Sequence, residues 1–374
     1  MLSGFLLALP GAILPAWGAH RDPTDFTLVG NYFLCLAVGL VVVGKPARWI
    51  IARRGISFVL VLGCGLASLA LAFLSAFPPP ASAWWRAGGM AAVGAGAGLI
   101  NMGLFHAATP QFEADAASAV TLGGLWYGLG CVAVTLLAAG SLSGYNVTVS
   151  LATMAAIPAV FAVVYSRISF PDSALAGELT FRQSLRDFRS PGAILFALAL
   201  FFQFGNEWSV AGWLPLLLIR RVGISPEGAL IHLALYWLFL MAGRAVAIIL
   251  LPRFRHGRLL LGSVFSALFG CLILFVTKTG FGALSGLFFL GAGYASIYPL
   301  LVEAIGRRFA YFHPGFFNGI FSLALLGALL APATLGYAAA KWGVGVVIAI
   351  PLIGTCIVML LIFSIWLEAK VSGQ

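Results

Sequence analysis

The sequence predicts an all-α membrane protein with about twelve transmembrane helices, and three observations lead there. Of its 374 residues 61% are hydrophobic and only 9% are charged, against roughly 25% charged in an ordinary soluble domain. Lipid must therefore be the solvent for most of the surface. The apolar runs are about 20 residues long, the length needed to cross a hydrocarbon core of ~30 Å as a helix. No part of the chain alternates polar and apolar positions as a membrane barrel strand would.

The runs fall in order along the chain. Helix 1 is expected over about 2–19, helix 2 over about 26–51, helix 3 over about 57–77 and helix 4 over about 84–108. Helix 1 lacks a basic leader and reads as a span rather than a cleaved signal. Helices 5 and 6 follow at about 117–140 and 148–168, and helices 7, 8 and 9 at about 191–218, 228–251 and 258–277. Helices 10, 11 and 12 occupy about 281–304, 315–340 and 344–367.

The longest polar interruption, 169–190, lies near the middle of the chain. It holds Glu178, Arg182, Arg186, Asp187 and Arg189, while Phe181, Leu185 and Phe188 recur at helical spacing. This reads as a short amphipathic helix on the membrane surface. It divides the chain into a first six-helix bundle (1–168) and a second (191–374), the pattern of an internal duplication.

The formal net charge of +10 sits in short connections, where it sets orientation and implies no nucleic-acid partner. Lys45, Arg48, Arg53, Arg54, Arg167, Arg182, Arg186, Arg189, Arg244, Arg253, Arg255, Arg258, Arg307, Arg308 and Lys370 fall on one side. The smaller set on the other is Arg21, Arg86, Arg220, Arg221, Lys278 and Lys341. Both termini are thus expected in the cytoplasm, and the expected location is a bacterial inner (plasma) membrane. The five cysteines all lie in apolar runs without metal-ligand spacing, so they read as small packing residues. No phosphate-cradling loop with its lysine and no catalytic or metal set is found, so neither an enzyme nor a cofactor is expected.

The two halves echo each other. Helix 4 carries Gly94-Ala95-Gly96-Ala97-Gly98 and helix 10 carries Gly291-Ala292-Gly293. Helix 5 has Gly124, Gly128 and Gly130, matched by Gly319, Gly327 and Gly336 on helix 11. Small residues let helix backbones approach where lipid provides no hydrophobic drive for association.

In the second half, Phe204-Gly205-Asn206-Glu207 followed by Trp213-Leu214, then Tyr236-Trp237 with Gly243-Arg244, form one set of motifs. Gly291 to Pro299 followed by Arg307-Arg308, and Gly327, Pro332 and Gly336, form another. Together they resemble the fucose permease (fucose–hexose–proton symporter) branch of the major facilitator superfamily. The resemblance implies the major facilitator fold, two pseudo-symmetric six-helix bundles, and a secondary transporter working by alternating access. It also implies a conformational-latch role for Arg244. The first half differs from the branch. Asn101 stands where an acid is common on helix 4, Gly124 where helix 5 usually has Gln or His, and Ala52-Arg53-Arg54-Gly55 where an Asp-bearing motif is expected.

Glu207 is the one carboxylate placed well inside a span. An ionised acid there is costly, so it is expected to be protonated, hydrogen-bonded or turned to a watery cavity. It is a candidate for solute binding and for proton coupling, with a structural interhelical bond as the plainer reading. Gln203 shares its helix face. The helical rise puts Arg244 ~14 Å from Glu207 in depth, so the two are not expected to pair. Further solute-binding candidates are Asn101, Trp213, Tyr294, Tyr298, Asn318, Trp126, Tyr127 and Asn31. Each of these is also accounted for by ordinary packing or interhelical hydrogen bonds.

The expected activity is movement of a small solute, a sugar or related polar metabolite being favoured, by a monomer in the bilayer. An efflux carrier for apolar or cationic compounds and a non-transporting membrane sensor or partner subunit remain as alternatives.

Overall fold

The computed structural model describes residues 1–114, 116–144, 146–170, 190–250, 253–309 and 314–371. Within them, side chains are described outside 109–120, 248, 250 and 314–322. Among the described residues there are twelve α-helices. The first six are α1 (Leu2–Ile13), α2 (Phe26–Val42), α3 (Gly44–Ala76), α4 (Ala83–Ala114), α5 (Ala116–Ser143) and α6 (Val147–Arg167). The second six are α7 (Pro191–Leu217), α8 (Pro226–Leu250), α9 (His256–Val276), α10 (Gly280–Arg308), α11 (Pro314–Trp342) and α12 (Val346–Val371). A π-helical turn, Leu218–Val222, continues α7. Ten stretches are long and apolar enough to cross a membrane. One of them, Phe26–Ala76, comprises both α2 and α3, and Leu2–Ile13 is a shorter apolar helix. The chain is an integral, multi-pass membrane protein.

Polar residues at the helix starts satisfy the free amides there. Asp25 accepts from Leu28 N at 2.9 Å ahead of α2, and Asn146 from Val149 N at 2.8 Å ahead of α6. Thr279 caps α10 through Gly282 N at 3.1 Å.

Three boundaries differ from the sequence reading, one of them the end of α4, which runs on to Ala114 instead of about 108. Helix 2 was expected to run to 51, but α2 ends at Val42 and residues 44–54 belong to the next helical piece. That piece breaks at Gly55, whose φ of 81° lies in the left-handed region open to glycine. Apolar periodicity continues smoothly through Val41-Val42-Val43, so hydrophobicity alone does not mark the stop. Helix 1 was expected to reach 19, whereas regular helix ends at Ile13. Tight hydrogen-bonded turns then carry the chain to Gly18, where φ is 73°. The polar stretch expected to form a surface helix falls almost wholly outside the described residues.

Most of the packing repeats when six is added to each helix number, although α7 also packs extensively on α12 and α1 does not on α6. In the first half α3 packs on α4 and α6, α2 on α4, and α1 on α5. In the second, α9 packs on α10 and α12, α8 on α10, and α7 on α11. The halves meet through α2 with α11, α5 with α8, and α1 with α7, and this set also maps onto itself under the same shift. Two pseudo-symmetric six-helix bundles follow. Several of the glycines noted in the sequence sit where backbones touch. A Cβ at Gly94 would overlap the Leu36 carbonyl, and one at Gly327 would overlap the Phe201 carbonyl. The three cysteines Cys64, Cys131 and Cys271 are buried among the helices.

Gly94→Val forces α4 away from α2 along their shared seam. Overpacking of this kind costs about 1–3 kcal/mol. The expected result is a lower thermal unfolding midpoint in detergent, whereas Gly88→Val, at a glycine with open space around it, leaves the midpoint nearly unchanged.

Candidate functional site

The centre of the junction between the halves is built from α5, α7, α8 and α10. Glu207 on α7 and Arg244 on α8 form an ion pair there, with Arg244 Nη2 3.6 Å from Glu207 Oε1. Both side chains are only 9% exposed. The expectation that these two residues stand too far apart to pair is therefore wrong. Its error was to measure depth from the helix ends. With its π turn, α7 runs Pro191–Val222, or 32 residues. That is ~48 Å by the helical rise and exceeds a core of ~30 Å, so a position counted from the helix end does not give its depth in the bilayer. The long arginine side chain covers the remaining distance.

The pair is loose. Its separation exceeds the ordinary charged hydrogen-bond range of roughly 2.7–2.9 Å. Tyr236, one helix face away on α8, donates a long hydrogen bond (3.5 Å) to the Glu207 backbone carbonyl and ties α8 to α7. Sequence supplies the space for Arg244 on the opposite side. A Cβ at Gly124 of α5 would collide with the Arg244 guanidinium, and one at Gly128 would collide with Met241. Trp237, Met241 and Arg244 follow at i, i+4 and i+7 on α8, and the two α5 glycines at i and i+4 receive that face. The departure at Gly124 thus has a steric cause in this chain.

Aromatic rings close around the pair. Tyr127 of α5 stands edge-on to Trp208 of α7, centroids 5.9 Å apart, and Trp208 lies 5.8 Å from Trp237 of α8. Tyr298 of α10 is buried edge-on to Phe204 at 4.8 Å. Tyr127 and Tyr298 both lie within electrostatic reach of Glu207 and Arg244. Several buried polar atoms here have no hydrogen-bond partner among the described residues. They are Tyr127 Oη, both amide atoms of Gln203, Trp237 Nε1 and Arg244 Nε. Buried polar groups are normally paired, at a cost of about 1–3 kcal/mol each when they are not. A concentration of unpaired donors and acceptors around a self-neutralising ion pair suits a neutral polar molecule that carries hydroxyls and an apolar face.

The other predicted residues disperse. Asn101 of α4 accepts a hydrogen bond from Ser3 of α1. Asn31 of α2 accepts from Tyr337 of α11 at 2.5 Å. Trp213 donates to the Pro332 carbonyl at 2.8 Å and stacks on Phe33 at 6.0 Å, so both its edge and its face are engaged. Tyr294 is bonded to Thr355 of α12 at 2.9 Å, with Cys271 beside it, one turn from Tyr298 on the same face of α10 but engaged with α12. Trp126 is 56% exposed and lies outside the cluster. Asn318 lies outside the described side chains. Trp237 and Gly124 belong to the cluster; the sequence marks them only as motif positions, not as solute-binding candidates. The spacing of Trp237 to Arg244 was the available signal.

The end of the bundle that carries the α1–α2 and α7–α8 connections is closed between the halves. Arg220, on the π turn, forms an ion pair with Asp22 at 2.5 Å and also donates to Thr24 and, at 3.5 Å, to the Arg21 carbonyl. Burial and the charges of Arg21 and Arg220 push the neighbouring His20 down from its ordinary value, which keeps it neutral near pH 7. Beneath this clamp, Gly11 meets the Ala211–Gly212 backbone and Gly30 meets Ala333 and Gly336.

No protein-family model matches the chain, and no curated protein matches it in sequence. Solved structures do resemble it over nearly the full length. A D-xylose–proton symporter superposes with a TM-score of 0.73 at 15% identity, covering 98% of this chain and 94% of that one. The nucleoside transporter NupG gives 0.70 at 13% identity, covering 99% and 97%. The Escherichia coli fucose:proton symporter FucP gives 0.62 at 16% identity, covering 97% of each. The chain has the fold of the major facilitator superfamily, and its resemblance to the fucose permease branch is supported at the level of that fold.

Proposed function

We propose that the chain is a secondary transporter that moves a small, neutral, polar solute by alternating access, a sugar or related metabolite being the favoured class. The observation that carries this is the Glu207–Arg244 pair, buried where the two bundles meet and ringed by unpaired polar atoms. Two opposite charges at one place give a site with no net charge. That favours an uncharged solute and speaks against a carrier for cations, the alternative that a lone acid would support. Trp208, Trp237 and Tyr127 offer ring faces and edges for the apolar side of such a solute. The folds of symporters for fucose and xylose and of a nucleoside transporter add support at the level of architecture.

In this reading residues 1–168 and 191–374 are the two rocking units, and 169–190 links them on the cytoplasmic side together with both termini. The Arg220 clamp then lies on the outer side and holds a state closed to the outside. Binding-site roles fall to Glu207, Gln203, Tyr127 and Tyr298. Asn101, Asn31 and Trp213 act in helix contacts, with Trp213 helping to seal the outer end. If transport is coupled to protons, Glu207 carries the proton, exchanging it against the Arg244 charge as the bundles move.

In proteoliposomes, Glu207→Gln is expected to abolish uphill accumulation of the solute while sparing exchange. Intact uphill accumulation in that variant rules Glu207 out as the coupling site, and absence of any solute movement by the native protein favours a sensor instead. The clamp has its own test. The Asp22 side chain is 84% exposed, which limits the Arg220–Asp22 pair to about 1 kcal/mol or less, or up to roughly a fivefold population shift. Spin labels at Arg21 and Lys278 are expected to show more of a longer-distance population in Arg220→Gln than in the native protein. An unchanged distribution argues against a closing role for Arg220.

A further inference from the structure

We propose that the elbow between α2 and α3 is a docking surface for the headgroups of anionic phospholipids. The inference is independent of any transported solute. Residues 44–54 form a short helical piece between two membrane spans, set off from the second by the backbone break at Gly55. It therefore sits where the chain leaves and re-enters the bilayer, at the depth of the headgroups. Ala47 and Ile51 turn inward and are buried, while Lys45, Trp49 and Arg53 are exposed on the opposite face and Arg48 is exposed at its flank. Arg54 is exposed at the end of the piece, next to the break at Gly55. A basic face of this kind opposite an apolar one is the pattern of a helix lying in the membrane interface.

The geometry points to phosphate held at the surface rather than to a solvated charge run. The Arg53 guanidinium lies 4.2 Å above the Trp49 ring, and Arg54 lies 5.6 Å from the Phe58 ring. Each arginine is thus held over an aromatic ring, and that of Arg53 is a tryptophan, whose natural place is the bilayer interface. Lys45, Arg48, Arg53 and Arg54 make no ion pair with any carboxylate among the described residues. At the same end of the bundle, by contrast, Arg307 meets Glu303 and Arg308 meets Glu368. Those two cations are answered within the protein, whereas none of the elbow's four is answered by a described carboxylate. Four clustered cations immediately beside a span recognise anionic headgroups, each contributing about a fivefold gain in partitioning. A bilayer presents many such phosphates at one depth, which suits several exposed cations spread along one short piece better than a single soluble ion does.

The test is a titration of the full-length protein, solubilised in a neutral detergent, with phosphatidylglycerol or phosphatidylcholine, the bound lipid being counted by native mass spectrometry. Phosphatidylglycerol is expected to bind more tightly than phosphatidylcholine. Arg48→Gln/Arg53→Gln is expected to weaken phosphatidylglycerol binding by roughly 25-fold, while Lys278→Gln/Lys341→Gln, which removes the same charge at the other end, is expected to leave it unchanged. Should the first variant fail to purify, Arg48→Gln alone is expected to lose about fivefold. Equal affinity for the two lipids overturns the proposal. So does an elbow variant that binds phosphatidylglycerol like the native protein, or competition by free glycerol phosphate at comparable concentration, which would mark an ion site rather than a lipid surface.

Discussion

A carboxylate inside a bilayer needs a counter-charge or a proton, and the structure around Glu207 is arranged to meet that demand. Arg244 supplies the charge from α8. For its guanidinium to fit, α5 must present no side chain at Gly124, and for α8 to lie close, none at Gly128. The pair thereby couples three helices drawn from both halves of the chain. Removing one partner of a buried pair costs about 3–5 kcal/mol, because the other charge is left stranded. Here the same cost bears on movement. Any shift that separates α7 from α8 must first find the two charges new partners, whether a proton, water or a bound solute.

Close packing by small residues makes that geometry possible. Lipid tails are as apolar as the helices, so contact depends on backbones approaching closely enough for dispersion to count. The seams between the halves follow the same rule, with Gly11 against the Ala211–Gly212 backbone and Gly30 against Gly336. These seams and the Arg220 clamp hold one end of the junction shut, while the loose ion pair and its unpaired neighbours occupy the middle. A tight end and an underbonded centre are what a carrier needs if it is to exchange one closure for another.

Much of this was legible in the sequence. Composition and run length led to the helix bundle, and repeated glycines such as Gly94 and Gly327 fall on close helix contacts, whereas Gly11 and Gly30 of the seams between the halves were not among them. Glu207 stood out because a charge in an apolar run is costly whatever its neighbours. The Glu207–Arg244 pairing was not legible, since α7 is longer than the bilayer core is thick and a count from its end does not give depth. The elbow at Gly55 was hidden because valines continue the apolar run past the true end of α2. Polar residues such as Asn101, Asn31 and Tyr294 looked alike in sequence. Only the fold separates those that bind neighbouring helices from those, such as Gln203 and Tyr127, whose polar atoms stay unpaired at the junction.

The central claim is that the junction around Glu207 and Arg244 receives a neutral polar solute. Ligand-induced thermal stabilisation of the purified protein, screened across sugars, nucleosides and related metabolites, tests it most directly, because a ligand that binds only the folded state raises the unfolding midpoint by mass action. The account predicts that a neutral, hydroxyl-bearing compound stabilises the native protein and that Tyr127→Phe weakens the effect. A stabilising ligand whose effect survives intact in Glu207→Gln/Arg244→Gln, or a preference for charged over neutral compounds, would contradict it.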